Sequence, residues 1–222
     1  MRTLRIRTLA AVCAALLSTP AAAVAQATFQ GVVTGSFYDD AGKPVADYTQ
    51  SIKGQRMRMD MELRGMNVSS LYDVDGQTIT TMMHAQRMYM VIDLKAAAGQ
   101  TGTPKPPRIT ATGRTETIAG QHCEHYLLGD DQDMDVCAAK GMGFGAPQGG
   151  GPMGRSPANV PGSYEQLARQ FKDGFFPLKM EQVRDGQRRL VMQVKTVQRK
   201  AVPDATFALP AGYTEMKVPG MP

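Results

Sequence analysis

The stretch GQRMRMDMEL, residues 54–63, decides the fold class. Met57, Met59, Met61 and Leu63 alternate with Arg58, Asp60 and Glu62. Successive side chains of a strand point to opposite faces, so this order yields one apolar face and one charged face. On a helix it would scatter both kinds around the cylinder. The stretch therefore reads as a strand with one buried face. RMYMVIDL, residues 87–94, repeats the pattern with Met88, Met90, Ile92 and Leu94 on one side. Outward from these two, β-rich runs cover 28–39, 46–53, 67–74, 77–83, 109–118, 121–128, 132–138, 176–183 and 188–198, and a last short strand is expected within 206–216. Asp75-Gly76 and Asp185-Gly186 are hairpin-turn dipeptides. One helix is expected at 163–173. Ser163 caps it, Gln166 completes a capping box, and Tyr164, Leu167, Ala168 and Phe171 share a face. The order is that of an antiparallel meander of roughly ten strands, not of βαβ units.

Two segments carry no periodicity. Residues 95–108 include an alanine run and Pro104, Pro106 and Pro107, and seven of the fourteen residues from 141 to 154 are glycine. They predict mobile loops at 95–108 and 141–162 within a single domain spanning 28–218. The glycine-rich loop lacks the lysine-serine ending and strand-to-helix setting that phosphate binding needs.

Residues 1–27 read as a secretory signal peptide. Arg2, Arg5 and Arg7 precede a short apolar run, and small residues allow cleavage after Ala25 or Ala27. The apolar run falls far short of the roughly 20 residues a spanning helix needs, so no integral membrane span is expected after cleavage. Cys13 sits inside the apolar run, where lipoprotein anchoring does not occur. The product is expected to be a soluble periplasmic protein. Loss of the three arginines takes 25 basic residues to 22 against 20 acidic ones. That balance offers no footprint for nucleic acid. Arg184, Arg188, Arg189, Lys195, Arg199 and Lys200 read as a solvated strand face.

Cys123 and Cys137 remain, and an even count outside the cytoplasm predicts a disulfide. With Gly129-Asp130-Asp131 as the hairpin loop, Cys123 falls directly opposite Cys137 and His125 opposite Asp135, all on one face. Those four carry zinc-type ligand chemistry. With no CxxC pair and an oxidising destination, the expectation is the disulfide, with no metal and no cofactor.

Several stretches resemble the exported bacterial proteins grouped as a domain of unknown function, DUF4412. They are TGRTETIAGQHCEHY at 112–126, FFPLKMEQV at 175–183 and TFALPAGYTEM at 206–216. The strands at 57–63 and 87–94 look like that family's earlier repeats. In layout the chain is also similar to the LolA/LolB-like lipoprotein carriers. That likeness implies a curved antiparallel half-barrel with an apolar concave face.

Met57, Met59, Met61, Leu63, Met88, Met90 and Ile92 are the candidate lining of an apolar groove. Methionine is flexible and polarizable and suits apolar surfaces that adapt to their occupant. The predicted role is non-enzymatic binding of an acyl chain, a lipid or a lipidated partner. Ordinary core packing explains the same alternation. One alternative is copper binding at Met82, Met83 and His84, since thioethers select Cu(I). Another is an envelope regulatory protein that docks a protein partner without a small ligand. Catalysis is not expected: no GxSxG or HExxH motif is present, and His84, His122 and His125 assemble no recognisable constellation.

Overall fold

The computed structural model describes residues 29–63, 65–96, 108–143, 171 and 173–217, with Leu63 described by its backbone alone. The strands are β1 (Gln30–Tyr38), β2 (Pro44–Lys53), β3 (Arg56–Leu63), β4 (Met66–Asp73), β5 (Thr78–Met83), β6 (Met88–Asp93), β7 (Ile109–Ile118), β8 (Gln121–Leu128), β9 (Met134–Ala139), β10 (Phe176–Arg184), β11 (Gln187–Arg199) and β12 (Thr214–Glu215). They form one sheet in the order β12-β6-β5-β4-β3-β2-β1-β11-β10-β9-β8-β7. Two meanders, β1 to β6 and β7 to β11, join where β1 pairs with β11. The sheet stays open, and every pair is antiparallel except β12 with β6.

Turn chemistry sets several registers. Asp185 and Gly186 both take positive φ (50° and 74°) between the paired residues Arg184 and Gln187. That is the twist-matched two-residue turn. At Asp75-Gly76 the loop is longer, because Asp73 pairs with Thr78 and Gln77 takes the positive φ.

Each strand sends one set of side chains inward, and the ladders align these sets. Val33, Gln50, Met59, Ser70, Thr81 and Met90 occupy one row across β1 to β6. The main core collects Phe29, Val33, Phe37, Tyr48, Ile52, Met57, Met59, Tyr126, Val136, Phe176, Leu178 and Met192. Gly35 is needed there: a Cβ on it would lie 2.4 Å from the hydroxyl of Tyr48, its cross-strand partner. Without that Cβ, Tyr48 lies over β1 and its hydroxyl reaches Met192 Sδ at 3.2 Å. Burial pushes the Tyr48 phenol far up.

Four expectations meet the structure differently. Twelve strands are described, matching the twelve runs read from the sequence, so the count of roughly ten falls short. The expected strand within 206–216 is mostly not a strand: a 3-10 turn at Asp204–Phe207 precedes the two residues of β12. The proline-interrupted tail cannot sustain a ladder. The expected helix at 163–173 and the loops at 95–108 and 141–162 fall almost wholly outside the described residues, as does the expected signal peptide at 1–27.

The fourth is the cysteine hairpin, which is offset by two residues. His125 pairs with Cys137 and Leu127 with Asp135. The turn is longer than three residues, since the ladder closes at Leu128 with Met134. A slip of two keeps every side chain on its face. Cys123 and Cys137 therefore still bond, diagonally, with Cα atoms 5.4 Å apart.

Candidate functional site

The seven candidate groove residues separate into two environments. Met57 and Met59 are 2% exposed and belong to the main core. Met61 is half-buried against that core. Leu63 pairs with Met66 at the end of β3. Met88, Met90 and Ile92 are half-buried on β6, outside the core cluster. The register nonetheless puts all the β3 and β6 positions on one face. Met61, Val68, Met83 and Met88 form one row, and Met57, Tyr72, Ile79 and Ile92 another. On the inner face of β4, β5 and β6 Met66 is exposed and every other residue is half-buried, and none is closed off. Burial raises the Tyr72 phenol where this wing meets the core.

The wing has its packed side behind. Ser69 (1% exposed) and Met82 (0%) are the buried side chains of β4 to β6, and both point to the outer face. The C-terminal segment crosses the outer face from β1 to β3 and reaches the wing at His84 and β6. Val202 is buried, and its carbonyl accepts from Gln30 Nε2. Asp204 is paired with Lys53 and Arg56, and the carbonyl of Thr206 accepts from Arg58. Arg56 lies over the Phe207 ring. The Tyr213 hydroxyl is 2.6 Å from His84 Nδ1, and Thr214 pairs with Met88.

The polar groups under this strap form a one-way chain. Ser69 donates to Asp60, so His84 Nε2, 2.6 Å from the Ser69 hydroxyl, carries the hydrogen of that contact. His84 Nδ1 then accepts from Tyr213. Arg58 donates to both Asp60 and Ser69. A serine whose hydrogen is committed to a carboxylate is not activated by its histidine neighbour. The arrangement fastens the tail to the sheet. It borders an open cavity of about 370 Å³ lined by Asp47, Asp60, Glu62, Asn67, Ser69 and His84, among others.

The chain belongs to the DUF4412 family. The family model, a domain of unknown function, matches residues 29–213. No curated protein matches the sequence. Among solved structures, the crystal structure of MucB in complex with MucA(peri) is similar at 15% identity and a TM-score of 0.39, over 86% of this chain. The chain spans 57% of the length of that MucB chain.

The copper alternative requires Met82, Met83 and His84 to converge in this family member. Met82 is buried on the outer face, Met83 is half-buried on the inner face, and both ring nitrogens of His84 are engaged. The three residues do not come together.

A second polar cluster lies on the outer face of β7 to β11, around the disulfide. Asp135 is fully buried and accepts from His125 Nδ1 at 2.6 Å, and also from Arg114 and Arg188. Burial alone would raise the Asp135 carboxyl, but the hydrogen bonds from Arg188 and His125 and the charge of Arg114 hold it below its usual range. His125 Nε2 faces Glu116 at 3.3 Å, and Lys179 bridges Glu116 and Glu181. The bulge on β7, between Ala111 and Thr115, accompanies the reach of Arg114 over this patch. Gly113, with φ of 75°, marks it. On the inner side Tyr126, its phenol pushed up to about 12 by burial and by its bond to Glu124, stacks with Phe171 and Phe175.

Sequence reasoning missed Arg114, Arg188, Glu116, Tyr213 and Ser69. A lone glycine inside the β7 pattern was the available signal for Arg114, since such a glycine marks a bulge. Arg188, read as part of a solvated face, instead neutralises a buried carboxylate.

Proposed function

We propose that this DUF4412 protein is a non-enzymatic, exported binding protein that holds an acyl chain, as a free lipid or as part of a lipidated partner, on the inner face of β4 to β6. The observation that carries this reading is the inversion of the wing: its buried side chains, Ser69 and Met82, lie on the outer face. Its inner face keeps Val68, Ile79, Met83, Met88, Met90 and Ile92 half-open. Leaving a row of apolar groups partly in water costs about 25 cal/mol per Å², and an acyl chain laid along it recovers that cost. Methionines adapt to chains of different length and unsaturation. The disulfide suits a protein that matures in an oxidising compartment such as the periplasm.

Native mass spectrometry of the exported protein, purified without detergent or chelator, tests the reading. The expected spectrum shows an added lipid mass that Met88→Gln with Met90→Gln removes while the melting temperature is kept. A bare mass after incubation with long-chain fatty acid contradicts it. A copper mass in place of the lipid, lost with His84→Gln, would favour the metal alternative.

A further inference from the structure

The outer-face cluster gathers around the disulfide the side chains of a divalent-metal donor set. Glu116, His125 and Cys137 place one ligand atom each within 4.8 Å of one another, and Cys123 adds the sulfur bonded to Cys137. Cys123 is 1% exposed, Cys137 0% and His125 4%, while the Glu116 side chain is 39% exposed, so the site is buried on three sides and reached from solvent at Glu116. The histidine is prepared for a ligand role. Asp135 only accepts, so a hydrogen on Nδ1 points at its carboxylate 2.6 Å away, with the Arg114 guanidinium 2.9 Å from the same nitrogen. Nε2 faces the Glu116 carboxylate at 3.3 Å. A hydrogen or a metal ion can occupy the space between Nε2 and Glu116, and Lys179 lies 3.4 Å from the same carboxylate. A carboxylate holding the distal nitrogen is the usual second partner of a metal-bound histidine.

We propose that Cys123, Cys137, His125 and Glu116 form a tetrahedral zinc site whenever the disulfide is open, with Asp135 as the positioning residue for His125. Zinc takes thiolate, imidazole and carboxylate together, at about 2.0–2.3 Å. A dithiol reductant passes two electrons and two protons to the cystine sulfurs and leaves as its own disulfide. Zinc then binds both sulfurs and releases the two thiol protons to solvent. The oxidised protein offers only His125 and Glu116. The site lies on the opposite face from the acyl-binding surface and does not depend on that function.

The test uses the full chain with Cys13→Ser, so that the pair supplies the only thiols. The protein is unfolded, reduced with a water-soluble phosphine that takes its oxygen from water, and counted for two thiols. It is then refolded with and without Zn²⁺. The expected result is one zinc per reduced chain, none in the oxidised chain, and thiolate-to-metal absorption when Co²⁺ replaces zinc. His125→Ala abolishes stoichiometric binding, and Asp135→Asn weakens it by about 10–100-fold. Refolding only when zinc is present also supports the site, since metal binding is then folding free energy. A reduced chain that refolds and binds no zinc overturns the proposal. So does binding that His125→Ala and Glu116→Gln leave unchanged, and so does a reduced chain that refolds in neither condition.

Discussion

Met59 and Met90 lie in the same row of the sheet, separated by Ser70 and Thr81. Both come from strands with a run of apolar residues at every second position, yet Met59 is 2% exposed and Met90 is half-buried. The difference comes from the second layer. At β1 to β3 the inner face is closed by the core it shares with β8 to β11. At β4 to β6 the buried side chains, Ser69 and Met82, lie on the other side, which the C-terminal strap reaches at His84 and β6. Alternation tells which face of a strand is apolar, and the rest of the chain decides whether anything covers it.

The comparison can be broken most strongly in the core. Met59→Ala should cost about 4 kcal/mol in urea unfolding, because a buried methionine leaves a cavity. An equal cost for Met90→Ala would show that the wing is packed like the core. Next, Cys123→Ser with Cys137→Ser should lose about 3 kcal/mol by the loop-closure argument. Asp135→Asn should cost about 3 kcal/mol, the low end for breaking a buried ion pair, because Arg114 and Arg188 both reach solvent. The pH dependence has a definite sign. The folded carboxyl of Asp135 lies below its unfolded value, so its contribution is full above the ordinary carboxylate range. It fades as pH falls through the folded value. The stability gap between wild type and Asp135→Asn should therefore narrow on acidification below about pH 4 and stay constant from pH 5 to 7.

Smaller effects test the strap. Tyr213→Phe removes one hydrogen bond to His84 and should cost about 1 kcal/mol, with faster amide exchange at Thr214. The smallest expected effect is Met90→Ala, under about 1 kcal/mol, because the side chain is already partly in water.

The sheet was legible because alternation is local. Ten residues at 54–63 suffice to give the strand and its apolar side. The disulfide was legible for a related reason: an error of two in the hairpin register leaves both cysteines on one face. What escaped is what depends on distant chain. Tyr213 meets His84 from 129 residues away, in a tail whose prolines erase any period. Arg114 and Arg188 meet at Asp135 from separate strands, and no local pattern announces that convergence. Nor could the sequence divide the candidate groove, since Met57, Met59, Met88 and Met90 all recur at every second position and nothing local tells which face is covered.

Methionine oxidation mapping tests the central claim most directly. The protein is exposed briefly to peroxide with and without a long-chain fatty acid, and sulfoxide is quantified at each methionine. The account predicts that Met88 and Met90 oxidise quickly when free and become protected by the fatty acid, while Met57, Met59 and Met82 stay unmodified in both conditions. Equal oxidation at Met59 and Met90, or no protection of Met88 and Met90 by any chain length, would contradict it.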